Sequence, residues 1–243
     1  MKYKVVVSYD GSNFSGWQVQ SGKRTVQGEI EEALLKLTKQ SIVVVGSGRT
    51  DAQVHAYGQV FHFESDRDLT MDGWKRAINT FLPKDIYIRS VEEIDEAFHA
   101  RFYVQKKVYQ YVINCNPYNP FTRNYQFQHN RPLNLELMKE AAQCFIGTHD
   151  FTAFNSTTLE EKPDQVRTIH MIELQEENGI LSITFTGKGF LRYMVRMLTA
   201  ILIKVGQGKI TKEEVEQILL SKDKRAFSHK ADACGLYLVE VVY

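Results

Sequence analysis

VVVGSGRTDAQVHAYGQVFHF, residues 43 to 63, is the stretch on which the fold turns. Its two ends read as strands, "SIVVVG" from Ser41 and "GQVFHFE" from Gly58, because β-branched and aromatic residues crowd both. Paired strands this close in sequence are usually joined by about two to five residues. The connection here is longer and carries Arg49, Asp51 and His55 among small residues, as a functional loop does more often than an idle one.

Working outward, "YKVVVSY" is a strand. A helix follows from about Val26, with Ile30, Ala33, Leu34 and Leu37 at helical spacing and Thr25 as its N-cap. Downstream, "MDGWKRAINTFL" is a helix stopped at Pro83, and "DIYIRSVEEI" is a strand. The order is βαββαβ. After "FHARFYVQKK" it begins again: strand "KVYQYVINC", helix "NLELMKEAAQCF" closed by Gly147, strands around "VRTIHMIEL" and "ILSITFTG", an apolar helix from Phe190, a second helix at Thr211, and a terminal strand "GLYLVEVV". Thr211 and Glu214 form a capping box that fixes the second helix start. The pattern predicts an α+β protein of two ferredoxin-like halves, antiparallel sheets flanked by helices, with domains at 1–104 and 105–243. Only "NPYNPFTRNYQFQHNRP" reads as a long irregular loop.

At 243 residues and 43% hydrophobic, the chain is a packed globule and not a disordered tail or a fibre. Its three cysteines, Cys115, Cys144 and Cys234, are far apart and lack a CxxC pair, so neither a disulfide framework nor a zinc site is expected. A reducing cytoplasm is the expected setting. The apolar run near the N-terminus is too short for a signal peptide, and no segment approaches the roughly eighteen apolar residues of a membrane span. A formal charge of +1 gives no global basic field, so a nucleic-acid partner needs a local patch or a surface composed in an oligomer. The seven histidines show no HExxH or HxH pair, so a metal site is not expected, and His55 and His149 are expected to brace loops.

The helix "GFLRYMVRMLTAILIKVG" is apolar on nearly every face yet carries Arg192 and Arg196 four residues apart. A buried guanidinium needs a carboxylate, because an isolated interior charge costs several kcal/mol. Either one arginine meets an acid or both snorkel along their stems, and spacing does not choose. Asp51 has two readings as well. It could cap local backbone amides in a polar turn. Alternatively the Gly-Ser-Gly lead-in allows another backbone to approach, and an arginine keeps the carboxylate charged when partly dehydrated, which suits a nucleophile.

At these residues the sequence resembles the tRNA pseudouridine synthase A family. That family's catalytic block reads GRTDAGVHA, and residues 48 to 56 here read GRTDAQVHA. Further family blocks recur in order: "YDG" with "FSGWQ", "TVQGEIE", "FLP", "FHARF", "KVYQY", "GTHDFTAF", "GFLRYMVR" and "GLYL". The resemblance implies the pseudouridine synthase fold and an isomerase that converts uridine to pseudouridine at positions 38, 39 and 40 of the tRNA anticodon stem-loop. It further implies Asp51 as the catalytic aspartate, Arg196 rather than Arg192 as its partner, and Tyr109 as the active-site tyrosine. Arg49 matches the residue that handles the flipped nucleotide, and Leu236 the apolar residue lining the uracil pocket. No cofactor or metal is implied, and the family's members are homodimers in which two subunits share a tRNA, which reconciles RNA binding with a mild net charge. Arg49, Arg101, Lys106 and Lys107 are the nearest candidates for RNA contacts, whereas Lys23 and Arg24 read better as a solvated face.

The chain departs from the family at three places. Gln53 stands where the family has Gly, and at a positive φ a non-Gly residue costs roughly 1 to 2 kcal/mol. "ADAC" replaces a proline-containing run before "GLYL", and Arg192 replaces the usual His or Tyr. Two rival functions remain: a catalytically weak tRNA-binding or folding factor of the same fold, and a hydrolase using Asp51 as nucleophile. The hydrolase needs a second carboxylate, for which Asp150 is the nearby candidate. Tyr111, Phe151 and Phe154 fit base-stacking and core positions equally, and Trp17 and Gln18 are family positions without an evident role.

Overall fold

In the computed structural model, which describes residues Met1–Tyr243, strand β1 (Lys2–Tyr9) buries every second side chain. Tyr3, Val5, Val7 and Tyr9 face inward, the period of two that a half-buried strand requires. β1 pairs antiparallel with β3 (His55–Glu64) on one side and β4 (Ile86–Ile94) on the other. Helix α1 (Val26–Thr38) starts at Thr25, whose hydroxyl accepts from the Gly28 N–H, and α2 (Met71–Phe81) is capped the same way by Thr70. Ile30, Leu34, Trp74 and Ile78 on these helices are fully buried, and the Trp74 ring lies 5.2 Å from the rings of Tyr3 and Phe63 on the sheet. This is the expected βαββαβ arrangement, with β2 (Val45–Gly46) on β3.

The expected strand from Ser41 shortens to those two residues for a local reason. The Val44 N–H donates to Glu31 Oε1 (3.1 Å) and its carbonyl accepts from Gln27 Nε2 (3.3 Å), so side chains of α1 take the bonds a ladder would have used.

The second unit contains β5 (Lys106–Asn114), β6 (Phe127–Gln128), α3 (Leu135–Ala142), β7 (Gly147–Asp150), β8 (Val166–Glu177), β9 (Ile180–Gly187), α4 (Met194–Gly206) and α5 (Lys212–Ser221). Its sheet runs β5-β9-β8-β7, antiparallel throughout, with β6 parallel to β5. Met138, Leu198, Ile201 and Leu202 of the helices are fully buried, as are Tyr111, Ile183 and Phe185 of the sheet. The capping box at Thr211 and Glu214 is present. The loop from Cys115 is irregular apart from β6 but ordered from within: Asn114 Nδ2 donates to Gln128 Oε1 (2.8 Å), which also accepts from the Asn119 N–H (3.0 Å).

By internal contacts the units are Met1–Gln105 with Tyr237–Tyr243, and Lys106–Leu236. The terminal residues, expected with the second half, group with the first for a reason visible in β10 (Leu236–Val242). Tyr237 and Leu238 pair in parallel with His55 and Ala56, and the Val242 carbonyl accepts from the Gln105 N–H. No helix is long and apolar enough to cross a membrane.

Candidate active site

The Asp51 loop is fixed mainly by backbone. At its start the Ser47 N–H donates to the Val60 carbonyl (2.7 Å) and the Ser47 hydroxyl to Gln59 Oε1 (2.7 Å), while Gln59 Nε2 reaches the Gly48 carbonyl (3.2 Å). Gln59 is completely buried, so this amide is a rigid bracket. At its centre the Trp17 N–H donates to the Thr50 carbonyl (3.1 Å), and the Tyr9 and Thr50 hydroxyls share a buried bond of 2.7 Å. Burial pushes the Tyr9 phenol well above its ordinary pKa, so it stays protonated. At its end the Gln53 N–H donates to the Phe14 carbonyl (3.1 Å) and the Val54 N–H to the Asp51 carbonyl (3.2 Å).

Two glycines make this clamp possible. A Cβ on Gly16, whose φ is +97°, would sit 2.7 Å from the Thr50 carbonyl oxygen, and one on Gly11 would sit 2.0 Å from the Val54 oxygen. The "YDG" and "FSGWQ" blocks therefore earn a structural account: they are the wall against which the loop is set. Trp17 is buried with its ring against Gly46 and Phe61, and Gln18 Nε2 donates to Gln27 Oε1 (2.7 Å), tying the wall to α1.

Main-chain carbonyls take the Gln53 and Val54 amides of this turn. Asp10 and Asp150 show what capping looks like here: Asp10 Oδ1 accepts from the Ser12 N–H (2.9 Å), and Asp150 Oδ1 from the Thr152 N–H (3.0 Å). Asp51 is half-buried and Arg49, two residues before it, is exposed. Gln53 has φ 65°, so the position does require the left-handed region; with Ala52 it forms the centre of a turn closed by Val54, as in a type II turn.

In the second unit α4 begins at Met194, not at Phe190. Tyr193 precedes it with φ 62°, and the Ser156 N–H holds the Arg192 carbonyl (3.1 Å), so the expected pairing of Arg192 with Arg196 on one helix face is corrected. Arg192 is exposed and Arg196 is 9% exposed. Arg196 Nε donates to the Ala231 carbonyl (2.7 Å), and the Ala231 N–H donates back to the Arg196 carbonyl (3.0 Å). Next to it, Tyr111 is core, and its hydroxyl donates to the Asp232 carbonyl (2.7 Å). The "ADAC" run is thus pinned at two successive carbonyls, leading to buried Leu236. Tyr109, on β5, is 9% exposed and meets the edge of Phe190 at 5.3 Å. Lys107 is half-buried on the same strand, and Arg101 of the first unit is exposed.

Several side expectations also resolve. His55 Nδ1 accepts from the Gly11 N–H (3.0 Å) and its ring stacks on Tyr237 at 4.7 Å, so it braces the loop; His149 Nε2 lies 2.9 Å from the Ile146 carbonyl. Asp10 Oδ1 lies 3.2 Å from the same His55 nitrogen. Arg24 is not a solvated cation: it grips Asp85 through two nitrogens (2.7 and 2.9 Å), bonds Glu29 (2.8 Å) and lies over Phe14 at 4.1 Å. Burial pushes the Asp150 pKa up, but the Thr152 hydrogen bonds and Lys222 outweigh it and hold the carboxyl below its usual range. A hydrolase acid needs the opposite shift. No group of three or more His, Cys, Asp or Glu side chains is arranged to hold a metal.

The profile of a family described as tRNA pseudouridine synthase matches residues 5–103 and 141–243. Asp51, Arg49, Arg101, Arg196 and Leu236 lie within the matched residues, and Lys107 and Tyr109 in the interval between them. Over its whole length the chain is similar to tRNA pseudouridine synthase A 1 of Bacillus cereus, at 46% identity and 98% of that protein's length. It is similar likewise to the tRNA pseudouridine synthases A of Geobacillus kaustophilus (44% identity, 94% of its length) and Listeria welshimeri (44% identity, 99% of its length).

Proposed function

Because the chain belongs to the tRNA pseudouridine synthase family, we propose that it isomerises uridine at positions 38, 39 and 40 of the tRNA anticodon stem-loop, with Asp51 as its catalytic carboxylate. The enzyme class is that of its relatives, an isomerase acting on tRNA uridine. The observation that carries the assignment of Asp51 is its loop: a half-buried carboxylate on a turn whose neighbouring amides are satisfied by carbonyls, two residues from an exposed guanidinium.

In the reaction the bond from C1′ to N1 breaks, the uracil turns, and C1′ joins C5; the C5 hydrogen leaves to solvent and N1 gains a proton. Atoms and electrons balance without an oxidant or water, so the chain's own side chains suffice. An ionised carboxylate opens the sequence by adding to C6, by attacking C1′ or by removing the 2′ proton, and Asp51 serves each of these. Arg196 is the cation assigned to keep that carboxylate ionised, and Tyr109 offers a ring for the base and a phenol to relay the proton at C5. Leu236 provides apolar surface for the uracil.

The target nucleotide must leave the stack, which costs a few kcal/mol. Arg49 is the residue assigned to the flipped nucleotide, with Arg101 and Lys107 as backbone contacts that supply part of that cost. The protein works as a homodimer in the cytoplasm, two subunits composing the basic surface that a net charge of +1 does not reveal. Sedimentation of the protein without RNA at micromolar concentration tests the dimer: a species of about one chain mass refutes it.

The test of position is chemical mapping. An unmodified tRNA transcript with uridines at 38, 39 and 40 is incubated with the protein, and carbodiimide adducts of pseudouridine are located by reverse transcription. Stops at those positions are expected. Stops only elsewhere in the tRNA refute the anticodon assignment, and tRNA bound without any adduct favours the binding-factor reading.

A further inference from the structure

The two cations beside the buried Arg196 are arranged around a single ring. Lys230 Nζ lies 4.1 Å from the centroid of Tyr193, and the Arg192 guanidinium carbon lies 5.0 Å from it, with Arg192 Nη2 donating to the Tyr193 hydroxyl at 3.4 Å. Arg196 approaches the same ring at 5.2 Å. Arg192 and Lys230 are exposed, and neither is within ion-pairing distance of a carboxylate, Asp232 included.

Like charges converging on one ring repel, and the ring offsets only part of that repulsion. The surrounding backbone nevertheless holds them together. The Arg192 carbonyl is tied to the Ser156 N–H, and Ala231, next to Lys230, is bonded in both directions to Arg196. Tyr193 itself takes φ 62°, a conformation uncommon for an aromatic residue, and this turn brings its ring to both cations. A fixed, unneutralised pair of donors of this kind is complementary to an anion.

We infer that Arg192 and Lys230, gathered on the Tyr193 ring, form a contact for a backbone phosphate of the RNA substrate. The inference rests on the reading of the protein as a tRNA enzyme and adds to it a site built on Arg192 and Lys230. A phosphodiester fits the pair: Arg192 offers a fork of N–H donors and Lys230 a point charge, and neither reads a base.

The experiment measures the dissociation constant of an unmodified tRNA transcript at several salt concentrations for the full-length protein, Arg192→Gln, Lys230→Gln, the double variant and Lys36→Gln. The last removes the same charge from a surface position already paired with Glu32. Loss of one phosphate contact lowers the slope of log affinity against log salt by about 1 and weakens binding about three- to ten-fold at moderate salt. The double variant, which removes the whole contact, is expected to show this, each single variant a smaller change of the same sign, and Lys36→Gln neither. Unchanged slope and affinity in the double variant, with an unchanged circular dichroism spectrum, overturns the inference, as does an equal change in Lys36→Gln. Binding is read without turnover, so a wild type that isomerises nothing yet loses affinity in the double variant sinks the catalytic reading and leaves the phosphate contact standing.

Discussion

The Asp51 loop of the first unit and the Arg196 segment of the second hold their key side chains by opposite means. Around Asp51 the main chain is positioned by its neighbours' main chains and by buried partners such as Gln59 and Tyr9. Around Ala231 the key side chain is itself the fastener, because Arg196 Nε is what holds that carbonyl. Removing the first side chain should therefore separate chemistry from stability, and removing the second should damage both.

The largest effect expected is on turnover. Asp51→Ala should lower isomerisation by about four orders of magnitude or more, the usual result of deleting a nucleophilic residue, while its urea midpoint stays close to wild type. A midpoint that falls steeply would show the loop depends on the carboxylate after all. Next is the wall behind the loop: Gly16→Ala forces a Cβ into the Thr50 carbonyl at a φ of +97°, and should cost about 2 to 4 kcal/mol in an unfolding titration. Wild-type stability in that variant would break the claim that close backbone approach sets the loop.

Arg196→Met keeps the apolar stem but loses the charged hydrogen bond, and should destabilise by about 2 kcal/mol in addition to abolishing turnover. If it loses turnover alone, the contrast between the two regions collapses. Gln53→Gly has the smaller and opposite sign. Relief of a left-handed conformation worth roughly 1 to 2 kcal/mol, less the added flexibility of the unfolded chain, should stabilise by about 0.5 to 1 kcal/mol by the same titration.

A further effect concerns pH. His62 is buried against His99 and near Lys2, and its pKa falls to about 4. The unfolded chain then binds more protons between about pH 6.5 and 4, so stability falls as pH drops through that window and levels off below it. His62→Gln should flatten that part of the curve of melting temperature against pH; an identical curve would remove His62 from the account.

The strand and helix pattern was legible where burial follows a simple period, as in β1 and at the capped starts of α1 and α5. It failed where side chains replaced the ladder. "SIVVVG" has the composition of a strand, but Gln27 and Glu31 on α1 take the Val44 backbone groups, and no propensity reports such long-range competition. The late start of α4 was hidden for a similar reason, since a positive φ at Tyr193 is fixed by its surroundings and not by residue type. Among the site residues, Asp51 stood out by its block, and Gln53 by replacing Gly at a position that does take positive φ. Tyr9, Gln59 and the two wall glycines did not stand out, although the glycines of "YDG" and "FSGW" were a signal of close approach that could have been followed to them. The cation pair on Tyr193 was invisible because it depends on Lys230, far away in sequence.

The central claim is that Asp51 drives isomerisation of tRNA uridine. Its most direct measurement is tritium release from tRNA carrying uridine tritiated at C5, wild type against Asp51→Ala at equal folded concentration and saturating RNA. Since the C5 hydrogen must leave when C1′ joins C5, the account predicts release by wild type up to the number of modified sites and none above background by the variant. Release by both proteins would remove Asp51 from the chemistry, and release by neither, with tRNA bound, would contradict the enzyme itself.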